Sequence, residues 1–346
     1  MVKSTMLISV VVPTYNEETN ILPFYERTAK VLDATGYNWE IIHVNDGSRD
    51  QSVDLLLQLR ERDARVKCLN LSRNFGSYGA ISAGLIHARG DAIACISCDL
   101  QDPPELIADF VKGWEQGYDI VWGVRETRTD PGLKSLYANV FYWIIRKLIW
   151  RDFPPGGMDY GLFDRRVIDL YNQTPARNNI PFLTIYDMGF RQQRLPYHRQ
   201  ERQRGTSHWT FFRRVKSAID VVLDFSYFPI RAVTILGFVI SLLSLLYATF
   251  VVLNRLLFGV GGDGWTSTMA VISFIGGIQL IVLGMLGEYI WRVAEQVRDR
   301  PRFIIMDRYG FEDSETPGRQ QEIFRPHRHR TSPAEIAAIK EPEPIQ

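Results

Sequence analysis

The chain has 346 residues, of which 46% are hydrophobic and 23% charged, and its formal net charge is +1. That is enough for one large domain or two ordinary ones with a real core, and so balanced a charge gives no sign of a polyanion-binding protein, so no nucleic-acid partner is expected. Three cysteines without dense spacing argue against a disulfide framework and for a reducing compartment.

The first apolar run, Leu7 to Val12, is too short for the core of a signal peptide and runs into Pro13, which fits the end of a strand; no cleavable targeting segment is expected. From there short β-branched runs alternate with amphipathic helical patterns. LISVVVP, WEIIHVND, VKCLNLS and AIACISCD read as strands, with helices near residues 18–35, 50–64 and 77–88. This alternation predicts an α/β fold, a mostly parallel sheet covered by helices. In such sheets ligands sit beyond the carboxyl ends of the strands, so YNEE, NDGS and DLQD should converge on one crevice.

Residues 94–105, ACISCDLQDPPE, carry two signals. Cys95 and Cys98 spell C-x-x-C, a redox dithiol or half a zinc site, whereas Asp99, Gln101 and Asp102 look like ligands for a hard cation. On an extended strand, side chains at i and i+3 point to opposite faces, and no second C-x-x-C or His pair completes a zinc site, so the cysteines read as structural. Asp99 is expected at the strand end with Gln101 two positions on, an oxygen pair suited to Mg2+ or Mn2+ completed by substrate phosphates. Pro103-Pro104-Glu105 reads as a helix start.

Two later segments are apolar for a soluble domain. In residues 136–150, LYANVFYWIIRKLIW, aromatics lie on nearly every face. In residues 209–225, Phe212, Val215, Ile219 and Val222 form a stripe opposite Arg213, Arg214, Lys216 and Asp220. Both are expected to lie as helices in a membrane surface, packing against the sheet being the alternative. Ala232 to Leu253 and Thr268 to Gly287 contain no charged residue, and each is about the roughly 20 residues a helix needs to cross a bilayer. Arg213, Arg214, Lys216 and Arg231 precede the first span, Arg292, Arg298, Arg300 and Arg302 follow the second, and the connecting loop offers only Arg255, so both ends should face the cytoplasm. The tail from about Gly310 is too polar to fold alone.

SVVVPTYNEE, VNDGSRD, LSRNFGSYGAISAGL and CDLQDPPE, in that order and at those spacings, resemble the GT-A domain of family-2 glycosyltransferases. The likeness is greatest to the polyprenyl-phosphate glycosyltransferases, the group of dolichol-phosphate mannose synthase and bactoprenol glucosyltransferase. It extends over roughly residues 5 to 305 and includes GGMDYGLFDRR, RQRGTSHW and FSYFPIR leading into two membrane helices. The expected organisation is a GT-A domain over 1–208 with an interfacial helix near 135–150, a second interfacial helix over 209–229, two transmembrane helices over 230–292, a cytoplasmic return segment over 293–310 and a polar tail over 311–346.

The resemblance implies roles by position. Pro13, Tyr15, Glu17 and Asp46 match the residues that hold the donor's base and ribose, and Asp99 and Gln101 match the ligands of the metal and diphosphate. Arg125, Arg128, Lys134, Arg202 and Ser207 lie where the family gathers groups for the lipid phosphate. Asp159 positions a sugar hydroxyl or an arginine, or is a base inherited from enzymes with alcohol acceptors; Asp99, Asp159 and Arg125 are the catalytic set. Two departures stand out. Relatives read D-x-D-L-Q, whereas here Ser97 occupies the nucleotide-side position of the first acid, and Ser77 replaces a longer polar residue after N-F-G.

The implied activity is inverting, metal-dependent transfer of a hexose to undecaprenyl or another polyprenyl phosphate at the cytoplasmic face of the inner (plasma) membrane. UDP-glucose is the first choice of donor, with GDP-mannose, UDP-N-acetylglucosamine or a modified pentose donor as alternatives, and a homo-oligomer is expected. A dehydrogenase should show G-x-G-x-x-G where this chain has PTYNEE, and a processive polysaccharide synthase should carry Q-x-x-R-W. The rival from another class is a non-catalytic membrane scaffold with a degenerate nucleotide-sugar fold, for which Ser97 is the argument.

Overall fold

The computed structural model describes residues 5–125, 143, 145–154, 157–158, 160–174, 180–199, 221–223, 225–226, 228–258, 264–298 and 301–311. In chain order the elements are β1 (Leu7–Thr14), α1 (Ile21–Thr35), β2 (Asn38–Asn45), α2 (Ser52–Arg62), β3 (Val66–Leu71), α3 (Ser77–His87), β4 (Ala92–Cys95) and α4 (Leu106–Glu115). There follow β5 (Ile120–Arg125), β6 (Tyr160–Asp164), α5 (Arg165–Gln173), α6 (Pro181–Asp187), β7 (Gln192–Tyr197), α7 (Phe228–Phe258), α8 (Trp265–Val297) and β8 (Ile305–Tyr309).

The strands form one sheet in the order β7-β5-β6-β4-β1-β2-β3-β8. β1 pairs in parallel with β2 and β4, β2 with β3, and β5 with β7, while β6 and β8 run antiparallel to their neighbours. Central strands of a doubly covered sheet must be apolar on both faces. β1 and β2 meet this with almost unbroken burial, whereas the edge strand β7 keeps most of its residues partly exposed. Alternation along each strand then feeds two cores. Val10, Val12 and Ile41 pack with Phe24, Leu32, Leu56 and Phe110 of α1, α2 and α4, and Val11, Ile42 and Val44 pack with α3, α5 and α6.

Two features differ from the sequence reading. β4 ends at Cys95, short of the expected AIACISCD, because the chain turns at Cys98 and Asp99 into the loop before α4. The segment after the second long helix does more than return: Ile305–Tyr309 is the eighth strand, paired with β3. It is tied to β2 by side chains, since Asn45 Nδ2 donates to Asn70 Oδ1 (2.7 Å) and Asn70 Nδ2 to Asp307 Oδ2 (3.0 Å). The described ends of the two expected interfacial helices pack on the domain. Ile145 and Val221 are buried, and Trp150 donates to Asp187 Oδ1 (2.8 Å) with its ring against Phe153, Tyr186 and Phe225. Trp143 of the first stretch stays largely exposed. Phe212, Val215 and Ile219 lie outside the described residues.

α7 and α8 have 31 and 33 residues, or about 46 and 50 Å at 1.5 Å per residue. Within them Phe228–Tyr247 and Phe274–Ala294 are long and apolar enough to cross a membrane, and none of either span is buried. Phe238, Leu245, Phe274 and Leu280 instead present most of their surface outward.

Candidate active site

Three loops meet beyond the carboxyl ends of β1, β2 and β4. The first two are zipped together. Asn16 N–H donates to Ser48 Oγ (3.0 Å), Arg49 N–H to Asn16 Oδ1 (2.9 Å), Glu17 N–H to Ser52 Oγ (3.0 Å) and Gln51 N–H to Glu18 Oε2 (3.0 Å). Asn16 stands at φ 53, a left-handed conformation that Asn tolerates. Pro13, Tyr15 and Glu17 are all half-buried on this rim.

Asp46, 2% exposed, follows β2, and its carboxylate accepts Phe75 N–H (2.6 Å) on one oxygen and Gly76 N–H (2.9 Å) on the other. It therefore clamps the turn that opens α3. Burial raises its pKa, against the two amides and the nearby Arg73 guanidinium, which pull the other way. Gly47 makes the clamp possible: at φ +71, a Cβ there would lie 2.7 Å from the Arg73 carbonyl carbon and 2.8 Å from Asn74 N.

The third loop carries Ser97, half-buried, and Asp99, buried, with Gln101 N–H donating to Asp99 Oδ1 (3.2 Å). Asp99 thus stands in a turn four residues past β4 and not at the strand end, and Leu100 between the two candidate ligands has φ 58. A leucine held left-handed costs about 1 to 3 kcal/mol, a strain that persists where surrounding structure imposes it and that gathers at functional sites. Burial first, and then the charges of Glu17 and Asp99, push the Cys98 thiol well up, so the tips of β1 and β4 bring those two carboxylates into one neighbourhood.

The cysteine question is settled by packing. Cys95 belongs to the core on one side of the sheet and Cys98 to the core on the other; both are free, and burial raises both thiols. Among the described residues there is no cluster of three or more His, Cys, Asp or Glu placed to hold a metal ion. Asp99 and Gln101 supply hard oxygen donors only, which fits a cation held by one or two protein groups and completed by phosphates.

Asp102 does not join that pair. It is 2% exposed, and its Oδ1 accepts the Tyr197 hydroxyl at 2.5 Å and lies 3.6 Å from Arg199 Nε. Arg125, at the end of β5, donates from Nε to the same Tyr197 oxygen (3.4 Å). Tyr197 and Arg199 went unnoticed in the sequence because PYHRQ has no local signature; only the parallel pairing of β7 with β5 brings Tyr197 to Arg125, and Arg199 just beyond it reaches Asp102. Arg128, Lys134, Asp159, Arg202 and Ser207 lie outside the described residues.

Residues 9–161 match the family described as Glycosyl transferase family 2. An uncharacterized glycosyltransferase of Synechocystis sp. is 40% identical over 309 residues, 89% of this chain and 97% of its own length. The chain belongs to glycosyl transferase family 2. Other members of the family that it resembles include a bactoprenol glucosyl transferase of Shigella phage SfV, 36% identical over 301 residues, 87% of this chain and 98% of that one. Among solved structures, glucosyl-3-phosphoglycerate synthase from Mycobacterium tuberculosis with Mn2+ and UDP-glucose aligns at 18% identity and TM-score 0.45, over 64% of this chain and 79% of that one. As a family 2 glycosyltransferase, the chain has the GT-A arrangement expected of it: a mostly parallel sheet with its motif loops at the strands' carboxyl ends, followed by two long apolar helices.

Proposed function

We propose that this glycosyltransferase moves a hexose, glucose from UDP-glucose as first choice, onto polyprenyl phosphate at the cytoplasmic face of a membrane, with inversion. The observation that carries the reading is the sequence of parts along one chain. Donor motifs stand at the tips of β1, β2 and β4, Arg125 and Tyr197 meet Asp102 of the loop after β4, and two membrane-length helices follow in the chain. Relatives named bactoprenol glucosyl transferase support it over most of their length.

Pro13, Tyr15, Glu17, Asp46 and Ser97 form the nucleotide side of the site. Asp99 and Gln101 would hold Mg2+ or Mn2+, a group that would supply neutralisation of the charge growing on the departing diphosphate. The acceptor is a phosphate monoester with a second pKa of about 6, largely dianionic near neutrality, so it needs alignment and not a strong base. Its oxygen attacks the anomeric carbon, the new C–O bond forms as the bond to the nucleotide diphosphate breaks, and the nucleoside diphosphate leaves. Arg125, Arg128, Lys134, Arg202 and Ser207 grip the acceptor phosphate and set the line of attack, with Asp159 positioning a sugar hydroxyl or an arginine. Both termini lie in the cytoplasm, as the basic flanks of the spans favour.

The test is a panel of labelled nucleotide sugars incubated with the full chain and undecaprenyl phosphate, followed by organic extraction. Label from UDP-glucose should enter the lipid phase. Label from GDP-mannose or UDP-N-acetylglucosamine alone would replace the donor, and no label from any donor would favour the scaffold that Ser97 suggests.

A further inference from the structure

We propose that Asp102 is a positioning residue: through the Tyr197 hydroxyl it sets the Arg125 guanidinium, and through its contacts with Tyr197 and Arg199 it couples the metal-side loop to the roots of both acceptor-binding segments. The inference rests on the acceptor reading above and assigns a role to Asp102 and Arg199, to which that reading gives none.

The geometry is that of a knot. Asp102 directly follows Gln101, so its carboxylate is anchored to the same turn that presents the candidate metal ligands. Tyr197 and Arg125 are direct partners, the last pair of the β5–β7 ladder. Beyond Arg125 the chain enters the stretch with Arg128 and Lys134; beyond Arg199 it enters the stretch with Arg202 and Ser207. One carboxylate therefore touches the starting points of both segments, Tyr197 and Arg199 on one side and, through the Tyr197 hydroxyl, Arg125 on the other.

The hydroxyl is held in place by its surroundings. Tyr160 packs edge-on against Tyr197 with centroids 6.2 Å apart and against Phe110 at 4.7 Å, and the Tyr160 hydroxyl donates to Pro103 O (3.3 Å). A Cβ on Gly123 would come within 3.2 Å of the Tyr197 ring and 3.1 Å of Phe110, so the glycine keeps the slot open. With its ring fixed, Tyr197 has one hydroxyl direction toward Asp102 and lone pairs left for the Arg125 Nε–H.

The arrangement is costly unless it does more than tie loops. A carboxylate taken out of water carries a penalty that neutral groups joining the same loops would not incur. What a buried anion adds is a fixed orientation of the guanidinium plane, which decides whether two parallel N–H bonds can reach a phosphate.

Tyr197→Phe removes one oxygen and leaves the ring packing intact. In the full chain in detergent, acceptor KM should rise roughly 5- to 20-fold, while donor KM and nucleotide affinity by calorimetry stay within about 2-fold and Tm holds. Asp102→Asn should act in the same direction. The double variant Tyr197→Phe with Arg125→Lys should lose no more than Arg125→Lys alone, because both changes break one relay. Additive losses, or equal losses in donor and acceptor KM with a lowered Tm, would overturn the inference in favour of a merely structural tie. Should Asp102→Asn fail to fold, Tyr197→Phe carries the test by itself. The wild-type chain with polyprenyl phosphate is the control arm: no transfer there rejects the acceptor reading and this inference together, whereas normal transfer with unchanged acceptor KM in Tyr197→Phe rejects this inference alone.

Discussion

The nucleotide-side loops and the acceptor-side roots are built in opposite ways. Around the tips of β1 and β2, short polar side chains take backbone N–H groups from neighbouring loops: Ser48, Ser52, Asn16, Glu18 and Asp46 each accept at least one. Each bond is worth only about 1 kcal/mol, but together they set the loops before any ligand arrives. On the other side a single buried carboxylate, Asp102, meets Tyr197 and Arg199, and beyond them lie aromatic packing and two helices with apolar faces turned outward. The donor half is pre-organised by many contacts, the buried Asp46 carboxylate among them, and the acceptor half chiefly by one, at Asp102. Damage should therefore be graded and local on the first side and concentrated on a few charged groups on the second.

The largest effect tests the one point the donor half does not duplicate. Asp99→Ala should lower transfer by roughly 10²- to 10³-fold or more, with a smaller loss in Gln101→Ala, and the residual rate should no longer depend on added Mg2+ or Mn2+. A metal titration of both variants checks it; a healthy, metal-responsive Asp99→Ala would move the metal site elsewhere.

Next is Arg202→Ala, expected to cost roughly 10- to 150-fold in acceptor efficiency with nucleotide affinity preserved, and Arg202→Lys should recover only part because lysine lacks the two-pronged geometry. Calorimetric titration of nucleotide alongside acceptor kinetics separates the halves. If nucleotide affinity falls while acceptor kinetics hold, the boundary between the two regions is drawn in the wrong place.

A pH effect comes from the sheet beneath the donor loops. His43 is fully buried against Phe24, its Nδ1 3.1 Å from Thr14 Oγ1 and its Nε2 without a partner among the described residues, and burial lowers its pKa to about 3. The folded protein then keeps this ring neutral where the unfolded chain would bind a proton. Its contribution to stability is fully present above about pH 6.5 and declines as pH falls toward 3, by up to about 1.4 kcal/mol per pH unit. Denaturant unfolding between pH 7 and 5 should show that decline, and His43→Phe should flatten it.

The smallest effect is expected of the cysteines. Cys95→Ala with Cys98→Ala should keep transfer within about 2-fold, with or without reductant, since the thiols sit in separate cores and burial holds both protonated. A folded but inactive double variant would restore the redox reading of C-x-x-C.

The difference between the halves also explains what could be read from the chain. Strands β1 to β4 and their helices were legible because apolar β-branched runs end in polar tips, and TYNEE, NDGS and DLQ carry their chemistry within a few neighbouring residues. β8 was not. Five residues after a membrane-length helix, MDRY among them, give no local sign that Asn70 will bond to Asp307, a partner 237 positions away. Tyr197 and Arg199 were hidden for the same reason, since their meaning depends on β7 lying beside β5. Trp150 shows a different limit: an aromatic side chain suits a bilayer surface or a protein core equally well, and this one packs on Phe225 and Tyr186.

The most direct measurement of the central claim is the chemical structure of the lipid product made by the full chain from UDP-glucose and undecaprenyl phosphate, by mass spectrometry and phosphorus NMR. Attack by the acceptor phosphate on the anomeric carbon predicts a phosphodiester with one phosphorus per sugar and an anomeric configuration opposite to that of the donor. A diphosphate-linked product, which would mean transfer of a sugar phosphate, a retained configuration, or glucose joined to a lipid without phosphate would contradict it.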